Sequence, residues 1–306
     1  MMIREATARD NEALCALDAR TPLPAHERAY FRQPDDFFEK HELQPAWNVM
    51  VAVEDRELVG ACAGAPIRTP LAGAERRLVY LHHERIAPEY QRKGLGLLLA
   101  RALQDHYRQS FDGAMDGSYW FIASSNQQSR DYVGKAGHQP WPTAAFMLVL
   151  DKSRGADAEI DRIGPEQAAV AIDLINRTHQ HEDLFTPYDE SSFRQRLSRC
   201  PSYGWTDLYG RWRDGRLVAI AGLWRNTVAD FGCAAGMEDE LTPLLQALIN
   251  PIATRWNANI VTFVSNDALR SALSPLCQDD PEYLLYVKGI ARPENCRPLH
   301  VDPAYF

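Results

Sequence analysis

Residues 78–99 carry the strongest structural signal in this sequence and read LVYLHHERIAPEYQRKGLGLLL. The apolar, β-rich run that ends at Ile86 predicts a strand, which Pro88 then terminates. After a turn with two glycines, leucines recur at helical spacing and predict an amphipathic helix over residues 95–107. The residues on its predicted apolar face are Leu95, Leu98, Leu99, Ala102 and Leu103.

The turn between this strand and helix is suited to binding an anion. The first turn of a helix leaves backbone N–H groups unpaired at the positive end of the helix dipole. Gly94 and Gly96 have no side chains to block an approaching anion, and Arg92 and Lys93 add positive charge. The pattern therefore indicates a pyrophosphate site. It is not the dinucleotide motif, because Leu99 replaces the third glycine, and no P-loop consensus is present.

The segment Gln91 to Gly96 resembles the [Q/R]-x-x-G-x-[G/A] motif of the GNAT superfamily of acyl-CoA-dependent N-acetyltransferases. The preceding residues, Ile86 to Tyr90, are similar to the strand end of that family, and Asn126 with Lys135-Ala136-Gly137 resembles its N…K-x-G region. The resemblance covers about residues 1–150. It implies direct transfer of an acetyl group from acetyl-CoA to a primary amine, and a longer acyl chain stays open.

Residue roles follow from this resemblance. The pyrophosphate of coenzyme A is expected on the loop, and the backbone of Ile86 is expected to bind the pantetheine arm. The implied coenzyme-binding residues are Ile86, Gln91, Arg92, Lys93, Gly94, Leu95, Gly96 and Asn126. The implied acceptor is an amine-bearing small molecule or a peptide N-terminus.

The acceptor ammonium must lose a proton before it attacks, so a base is needed. Alternation along the strand places Tyr80, His82 and Glu84 on one face. His82 has the most suitable ordinary pKa and is the first candidate; the alternative is a half-buried strand histidine without a catalytic role. A bulge, common in this strand in the family, would change the face that Glu84 uses.

The leaving thiolate is usually protonated in this family by a tyrosine four residues before the glycine that is Gly137 here. This sequence has Val133 at that position, and Tyr132 is one residue away. Either the helix adjusts by one residue and Tyr132 is the acid, or the thiolate leaves unassisted. Because Val133 replaces the family's tyrosine, an alternative function also stays open: a non-catalytic acyl-CoA-binding sensor or scaffold protein.

The chain has 306 residues, and at about 150 residues per domain this suggests two domains. Both halves show the same order of predicted elements, and residues 55–61 resemble residues 214–220. We predict an α/β (α+β) fold with two GNAT-like domains, each a mixed, mostly antiparallel sheet flanked by helices. The predicted domains are residues 1–152, which are catalytic, and residues 153–306. The second carries Glu238-Asp239-Glu240 where the glycine loop should be, so we expect it not to bind coenzyme A.

Composition limits the remaining possibilities. With 33 basic and 41 acidic residues, the net charge of −8 disfavours nucleic acid as a partner. No apolar run reaches the roughly 18 residues of a membrane span, and six scattered cysteines without C-x-x-C spacing are typical of a reduced, cytoplasmic protein. A monomer or homodimer is expected. We expect no metal, and interpret His179 to Asp183 as a solvated loop. Phe31, Phe37 and Phe38 are candidates for an acceptor-pocket wall or for core packing.

Overall fold

The computed structural model describes residues 1–21, 36–294 and 296–302. The chain forms two compact units. Among the described residues, the first contains those of 1–142 and 284–294, and the second contains those of 143–283 and 296–302. Phe31, one of the candidate pocket aromatics, lies outside the described residues.

The regular elements of the described residues are as follows. The strands are β1 (Met2–Glu5), β2 (Asn48–Glu54), β3 (Glu57–Leu71), β4 (Ala74–Ile86), β5 (Gly117–Ala123), β6 (Gln139–Leu150), β7 (Asp161–Arg162), β8 (Leu208–Arg213), β9 (Arg216–Trp224), β10 (Thr227–Cys233), β11 (Val261–Val264), β12 (Cys277–Asp279) and β13 (Glu282–Lys288). The helices are α1 (Asn11–Arg20), α2 (Leu95–Ser110), α3 (Gln127–Lys135), α4 (Ala168–His179), α5 (Glu190–Arg199), α6 (Leu241–Trp256) and α7 (Asp267–Leu273). None of the described helices is long and apolar enough to cross a bilayer.

The first unit is built on a sheet with the strand order β1-β2-β3-β4-β5-β13. Strands β1 to β4 pair antiparallel, whereas β4 and β5 run parallel. Asp55 and Arg56 join β2 to β3 with φ values of 48° and 71°. Positive φ at both central residues is typical of a type I′ hairpin turn, whose twist matches that of the strands. Strands β2 and β3 thus form a tight hairpin.

Helix α2 covers one face of this sheet. Leu95, Leu99 and Leu103 are each at most 2% exposed and belong to the core of the first unit. Leu98, which was predicted on the same face, is 44% exposed. The buried stripe follows the i, i+4, i+8 line and continues to Tyr107, so it is narrower than the sequence pattern suggested.

The second unit has the strand order β6-β11-β10-β9-β8-β7. Its only parallel pair among the described strands is β10 with β11. Helix α6 buries Leu241, Leu244, Leu245 and Leu248 in the core of this unit. Each unit therefore combines antiparallel strands with one parallel pair and a long helix between the two parallel strands. This confirms the predicted α/β fold class.

The division of the chain differs from the predicted boundary at residue 152. Strand β6 follows α3 in the first half of the sequence, yet residues 146–149 pair with β11 in the second unit. Strand β13 comes from the second half of the sequence, yet it lies next to β5 in the first unit. Each unit thus takes one strand from the other half of the sequence. The sequence pattern did not predict this exchange, because strand propensity does not specify a strand's partner.

Candidate active site

Strands β4 and β5 separate soon after they meet. Their parallel register consists of Leu78 with Gly117, Val79 with Ser118 and Tyr80 with Tyr119. Beyond Tyr80, β4 continues to Ile86 without a register partner in β5. An edge of this kind presents backbone N–H and C=O groups to which an extended ligand can add as a further strand.

The loop that follows β4 leads directly into helix α2. Arg92 and Gly94 both have positive φ, 59° and 81°, and Gly94 is the N-cap residue of the helix. The first bond of the helical pattern runs from Leu98 N–H to the Gly94 carbonyl, at 3.3 Å. The amides of residues 95–97 precede it at the positive end of the helix dipole. Arg92 and Lys93 are exposed beside this end, so the loop has the features of an anion site.

Ile86 and Gln91, both predicted to bind coenzyme, contact each other. The side-chain amide of Gln91 donates a hydrogen bond to the Ile86 carbonyl at 3.0 Å. This bond ties the loop to the end of β4. Asn126, predicted in the same group, caps helix α3, where its side chain accepts a hydrogen bond from Ser129 N–H at 3.1 Å.

A β-bulge in β4 changes the orientation of the candidate bases. Ala63 pairs with His82 and Ala61 pairs with Arg85, so two steps along β3 face three steps along β4. His83 lies in the bulge with a φ of 47°. The bulge interrupts alternation, and the predicted common face of Tyr80, His82 and Glu84 is therefore wrong for Glu84.

Glu84 instead lies beside the start of α2 and contacts α3. Tyr132 O–H donates a hydrogen bond to the Glu84 carboxylate at 2.8 Å. Burial raises the pKa of Glu84 to about 7, although this hydrogen bond and the Arg85 charge act in the opposite direction. Burial and the Glu84 charge raise the pKa of Tyr132 far above its ordinary value, so the phenol stays protonated. The carboxyl group of Glu84 can therefore exchange a proton near neutral pH.

Gly96 lies next to the Glu84 carboxyl group, whereas the sequence predicted a bound anion at this glycine. A Cβ atom at this position would lie 2.5 Å from Glu84 Oε1. Glycine is needed here because the Glu84 carboxyl group occupies the space, in addition to any role in admitting an anion. Val133, at the position of the family's tyrosine, is 1% exposed and packs in the core of the first unit.

His82 faces away from this pair. Its ring stacks on that of Tyr80, with centroids 4.8 Å apart and planes inclined by 8°. Burial and the charges of Lys40 and Arg85 hold the pKa of His82 well below its ordinary value. The ordinary pKa that made His82 the first candidate for the base therefore does not hold in the folded protein, because desolvation of the ring dominates.

A buried polar cluster next to His82 was missed by the sequence analysis. Asp18 Oδ1 accepts hydrogen bonds from His83 Nε2 at 2.9 Å and from Arg85 Nε at 2.5 Å. Lys40 Nζ contacts the other nitrogen of the same imidazole. Burial, with a smaller contribution from Arg85, lowers the pKa of Lys40 to about 7. Charged residues at positions 18 and 40 carry no periodic pattern that would have placed them together.

The candidate pocket aromatics that the structure describes pack inside the first unit. Phe37 is 2% exposed, and its ring lies 4.6 Å from that of His83. Phe38 stacks on Trp47 at 5.6 Å. These contacts are those of packing residues that border the polar cluster, and they favour core packing over an acceptor-pocket wall.

Residues 11–138 match the Acetyltransferase (GNAT) family. This part of the chain is a GNAT domain. The match spans α1, the splayed strands, the loop and α3, and it confirms the resemblance inferred from residues 86–96. The members of this family are acyltransferases. No curated protein sequence matches the chain significantly.

Solved structures with similar folds extend over nearly the whole chain. N-myristoyltransferase from Saccharomyces cerevisiae with bound myristoyl-CoA is 12% identical with a TM-score of 0.66, over 95% of this chain and 84% of that one. A GCN5-related N-acetyltransferase from Sphaerobacter thermophilus is 14% identical with a TM-score of 0.64, over 100% and 98%. A tandem GNAT protein from the clavulanic acid biosynthesis pathway is 16% identical with a TM-score of 0.60, over 94% and 98%. At these identities the likeness shows the fold.

The second unit differs from the GNAT domain at the loop before its long helix. Gly236 N–H donates to the Glu238 carboxylate at 3.2 Å, so an acidic side chain already occupies an amide of this loop. Glu240 accepts hydrogen bonds from Arg211 and Arg213 at 3.0 and 3.1 Å. Carboxylates thus take the place that an anionic ligand would need.

Proposed function

We propose that the GNAT domain transfers an acetyl group from acetyl-CoA to a primary amine by direct attack on the thioester. The observation that carries this proposal is the Glu84–Tyr132 pair. It lies where β4 has separated from β5, and Glu84 is next to Gly96 in the first turn of α2. A proton acceptor with a pKa of about 7 thus stands beside a candidate anion site.

The residues around this pair suit the parts of coenzyme A. The amides of residues 95–97, with Arg92 and Lys93, would hold the pyrophosphate. The part of β4 that extends beyond its register with β5 would hydrogen-bond the pantetheine arm, which is extended and amide-bearing. This arrangement directs the thioester towards the region of Glu84.

The chemistry then needs few groups. Glu84, as the carboxylate, takes a proton from the acceptor ammonium, and the neutral amine attacks the thioester carbonyl carbon. The new C–N bond forms as the C–S bond breaks, and the thiolate of coenzyme A departs. The nitrogen gives its second proton to the thiolate as the amide forms, and the proton held on Glu84 passes to solvent. Tyr132 holds the carboxyl group in position throughout and keeps its own proton because of its high pKa.

A short acyl group is favoured by the rings at the point where β4 and β5 join. Tyr80 and Tyr119 are each 1% exposed with centroids 4.7 Å apart, and Phe121 packs 6.2 Å from Tyr80. These side chains leave little room for a long alkyl chain beside the parallel register. The acceptor is proposed to be an amine-bearing small molecule or a peptide N-terminus, used by a cytoplasmic monomer or homodimer.

The test is consumption of acetyl-CoA in the presence of a panel of primary amines, with myristoyl-CoA in parallel reactions. Amine-dependent release of coenzyme A from acetyl-CoA supports the proposal. Tight binding of acetyl-CoA without release across the panel would favour the sensor, for which the buried Val133 in place of the family's tyrosine is the specific argument. Preference for myristoyl-CoA would contradict acetyl specificity.

Binding stoichiometry provides a first prediction. Because carboxylates occupy the corresponding loop of the second unit, one coenzyme A molecule should bind per chain. Isothermal titration calorimetry should give a stoichiometry of one, and charge reversal at Arg92 and Lys93 should weaken that binding event. A stoichiometry of two would show that the second unit also binds the coenzyme.

A second prediction concerns His82. Because its pKa lies well below the ordinary value, the ring is neutral throughout the range in which the enzyme would be assayed. His82→Gln should therefore leave the pH dependence of the rate unchanged, whatever its effect on acceptor KM. If this variant no longer shows an increase in rate with pH, His82 is the base.

A further inference from the structure

Three potential metal ligands converge in the second unit, from parts of the sequence more than a hundred residues apart. His179 ends helix α4, Glu182 follows in the next turn, and His300 belongs to the C-terminal segment. One ligand atom from each of them lies within 4.8 Å of the other two. Glu182 Oε2 is 2.7 Å from His179 Nδ1 and 3.5 Å from His300 Nδ1. His181, in the same loop, is exposed and takes no part.

The hydrogen bond on the far side of His179 defines which nitrogen faces this cluster. His179 Nε2 lies 3.0 Å from the Phe231 carbonyl oxygen, which can only accept, so Nε2 carries a proton. In the neutral ring Nδ1 then presents a lone pair to a carboxylate oxygen 2.7 Å away. At this distance a proton on Nδ1 hydrogen-bonds the carboxylate, and once that proton is displaced the same nitrogen and oxygen can both ligate a metal ion after a small separation. A backbone carbonyl that orients the remote nitrogen is also the usual support of a metal-binding histidine.

The surroundings of the three side chains suit a metal ion. The side chains of His179 and Glu182 are 2% and 5% exposed, and that of His300 is 16% exposed. The prediction of a solvated loop over residues 179–183 is therefore wrong for His179 and Glu182, because the C-terminal segment packs over them. Phe185 and Phe231 pack against His179 with ring centroids 5.2 and 4.8 Å away. Glu182 interacts with both His179 and His300, so its carboxylate lies between the two imidazoles, where a metal ion would engage all three side chains. Two imidazoles and a carboxylate are a donor set suited to Zn²⁺, and are too nitrogen-rich for Mg²⁺ or Ca²⁺.

We propose that His179, Glu182 and His300 bind one divalent transition-metal ion of the Zn²⁺ class, with water at the remaining position. The backbone supports the same contact, because His300 N–H donates to the Asp183 carbonyl at 2.7 Å and Asp183 N–H donates to the Pro298 carbonyl at 2.8 Å. The ion would therefore attach the C-terminal segment to the loop after α4. Its role is structural and independent of the acyl-transfer site.

The experiment uses the full, tag-free chain after removal of metals by a chelator. Calorimetry with Zn²⁺ should show one site per chain, Co²⁺ should give the visible absorption of a low-symmetry nitrogen–oxygen site, and Mg²⁺ should give neither. Zn²⁺ should also raise the temperature of unfolding. His300→Gln and His179→Gln should each weaken Zn²⁺ binding by at least about tenfold, because each removes a ligand.

His181→Gln is the matched control, since it removes an exposed histidine from the same loop. It should bind Zn²⁺ as the unchanged protein does. The proposal is overturned if the unchanged protein binds no Zn²⁺, or if His300→Gln binds it undiminished. Should His179→Gln fail to fold, the partly exposed His300 still provides the decisive variant. Acetyl transfer is not part of this readout, so failure here leaves the proposed function untouched.

Discussion

Replacing Glu84 with glutamine should lower kcat by about a hundredfold or more and remove the rise in rate through neutral pH. With a Glu84 pKa of about 7, the carboxylate that accepts the proton becomes populated as the pH rises through that value. Below it, the rate of the unchanged enzyme should fall about tenfold per pH unit. The measurement is a profile of kcat and kcat/KM from about pH 5.5 to pH 9 for both proteins.

Glutamine is the right substitution because its side-chain oxygen can still accept the hydrogen bond from Tyr132. Coenzyme A affinity should therefore stay nearly unchanged. Tyr132→Phe is the companion variant: it removes that hydrogen bond, which favours the carboxylate, and should shift the rising limb to higher pH. A Glu84→Gln enzyme with full rate and an intact limb would show that the amine loses its proton elsewhere.

The same carboxyl group should make a distinct contribution to stability. Because the pKa of Glu84 is raised in the folded protein, ionisation of this group opposes folding; the cost grows as the pH rises from the ordinary value to about 7 and then levels off. Glu84→Gln should thus be at least as stable as the unchanged protein at about pH 8. A variant that is slower but not less stable would identify Glu84 as a group retained for chemistry.

The second large effect is expected at the loop before α2. Changing Arg92 and Lys93 together to glutamate should weaken coenzyme A binding by about tenfold to a hundredfold. Both side chains are exposed, so the fold should be unaffected. The second unit already carries acidic residues at the corresponding place. Calorimetry at low and at physiological salt should show affinity and salt dependence falling together.

Lys152→Glu with Arg154→Glu is the matched control, because it makes the same charge change at another exposed site. Coenzyme A affinity should fall in the variant with both Arg92 and Lys93 changed, and should hardly change in this control. Equal effects of the two pairs would mean that net charge, and not the loop, controls binding. Gly96→Leu, the obvious alternative variant, is less clean, since its side chain would collide with Glu84.

Much of the GNAT domain could be predicted because its signals are local. The strand that ends at Ile86, the turn and the helix from Leu95 each follow from neighbouring residues whose spacing, glycines and proline act within a few positions. The anion-site features of the loop follow in the same way. The two-residue turn at Asp55 and Arg56 also has a local cause, since these polar residues separate two β-rich runs.

The side-chain arrangement within the site could not be predicted to the same extent. A bulge of one residue at His83 was enough to direct Glu84 towards Tyr132 while His82 remained stacked on Tyr80. Alternation predicts faces only along an uninterrupted strand. The pKa values of Glu84 and His82 then follow from burial, which no local pattern specifies.

Sequence information therefore specifies elements whose causes lie within one or two helical turns along the chain: the strand, the loop and the helix start. Tertiary structure decides what depends on contacts between distant residues. It pairs β6 with β11 and places β13 beside β5, against the order of the two halves. It also brings His300 to Glu182, and Lys40 with Asp18 to His83. The physical reason is that backbone pairing and burial of apolar surface stabilise contact with any partner of suitable shape. Only the packing of the complete core determines which partner each residue contacts.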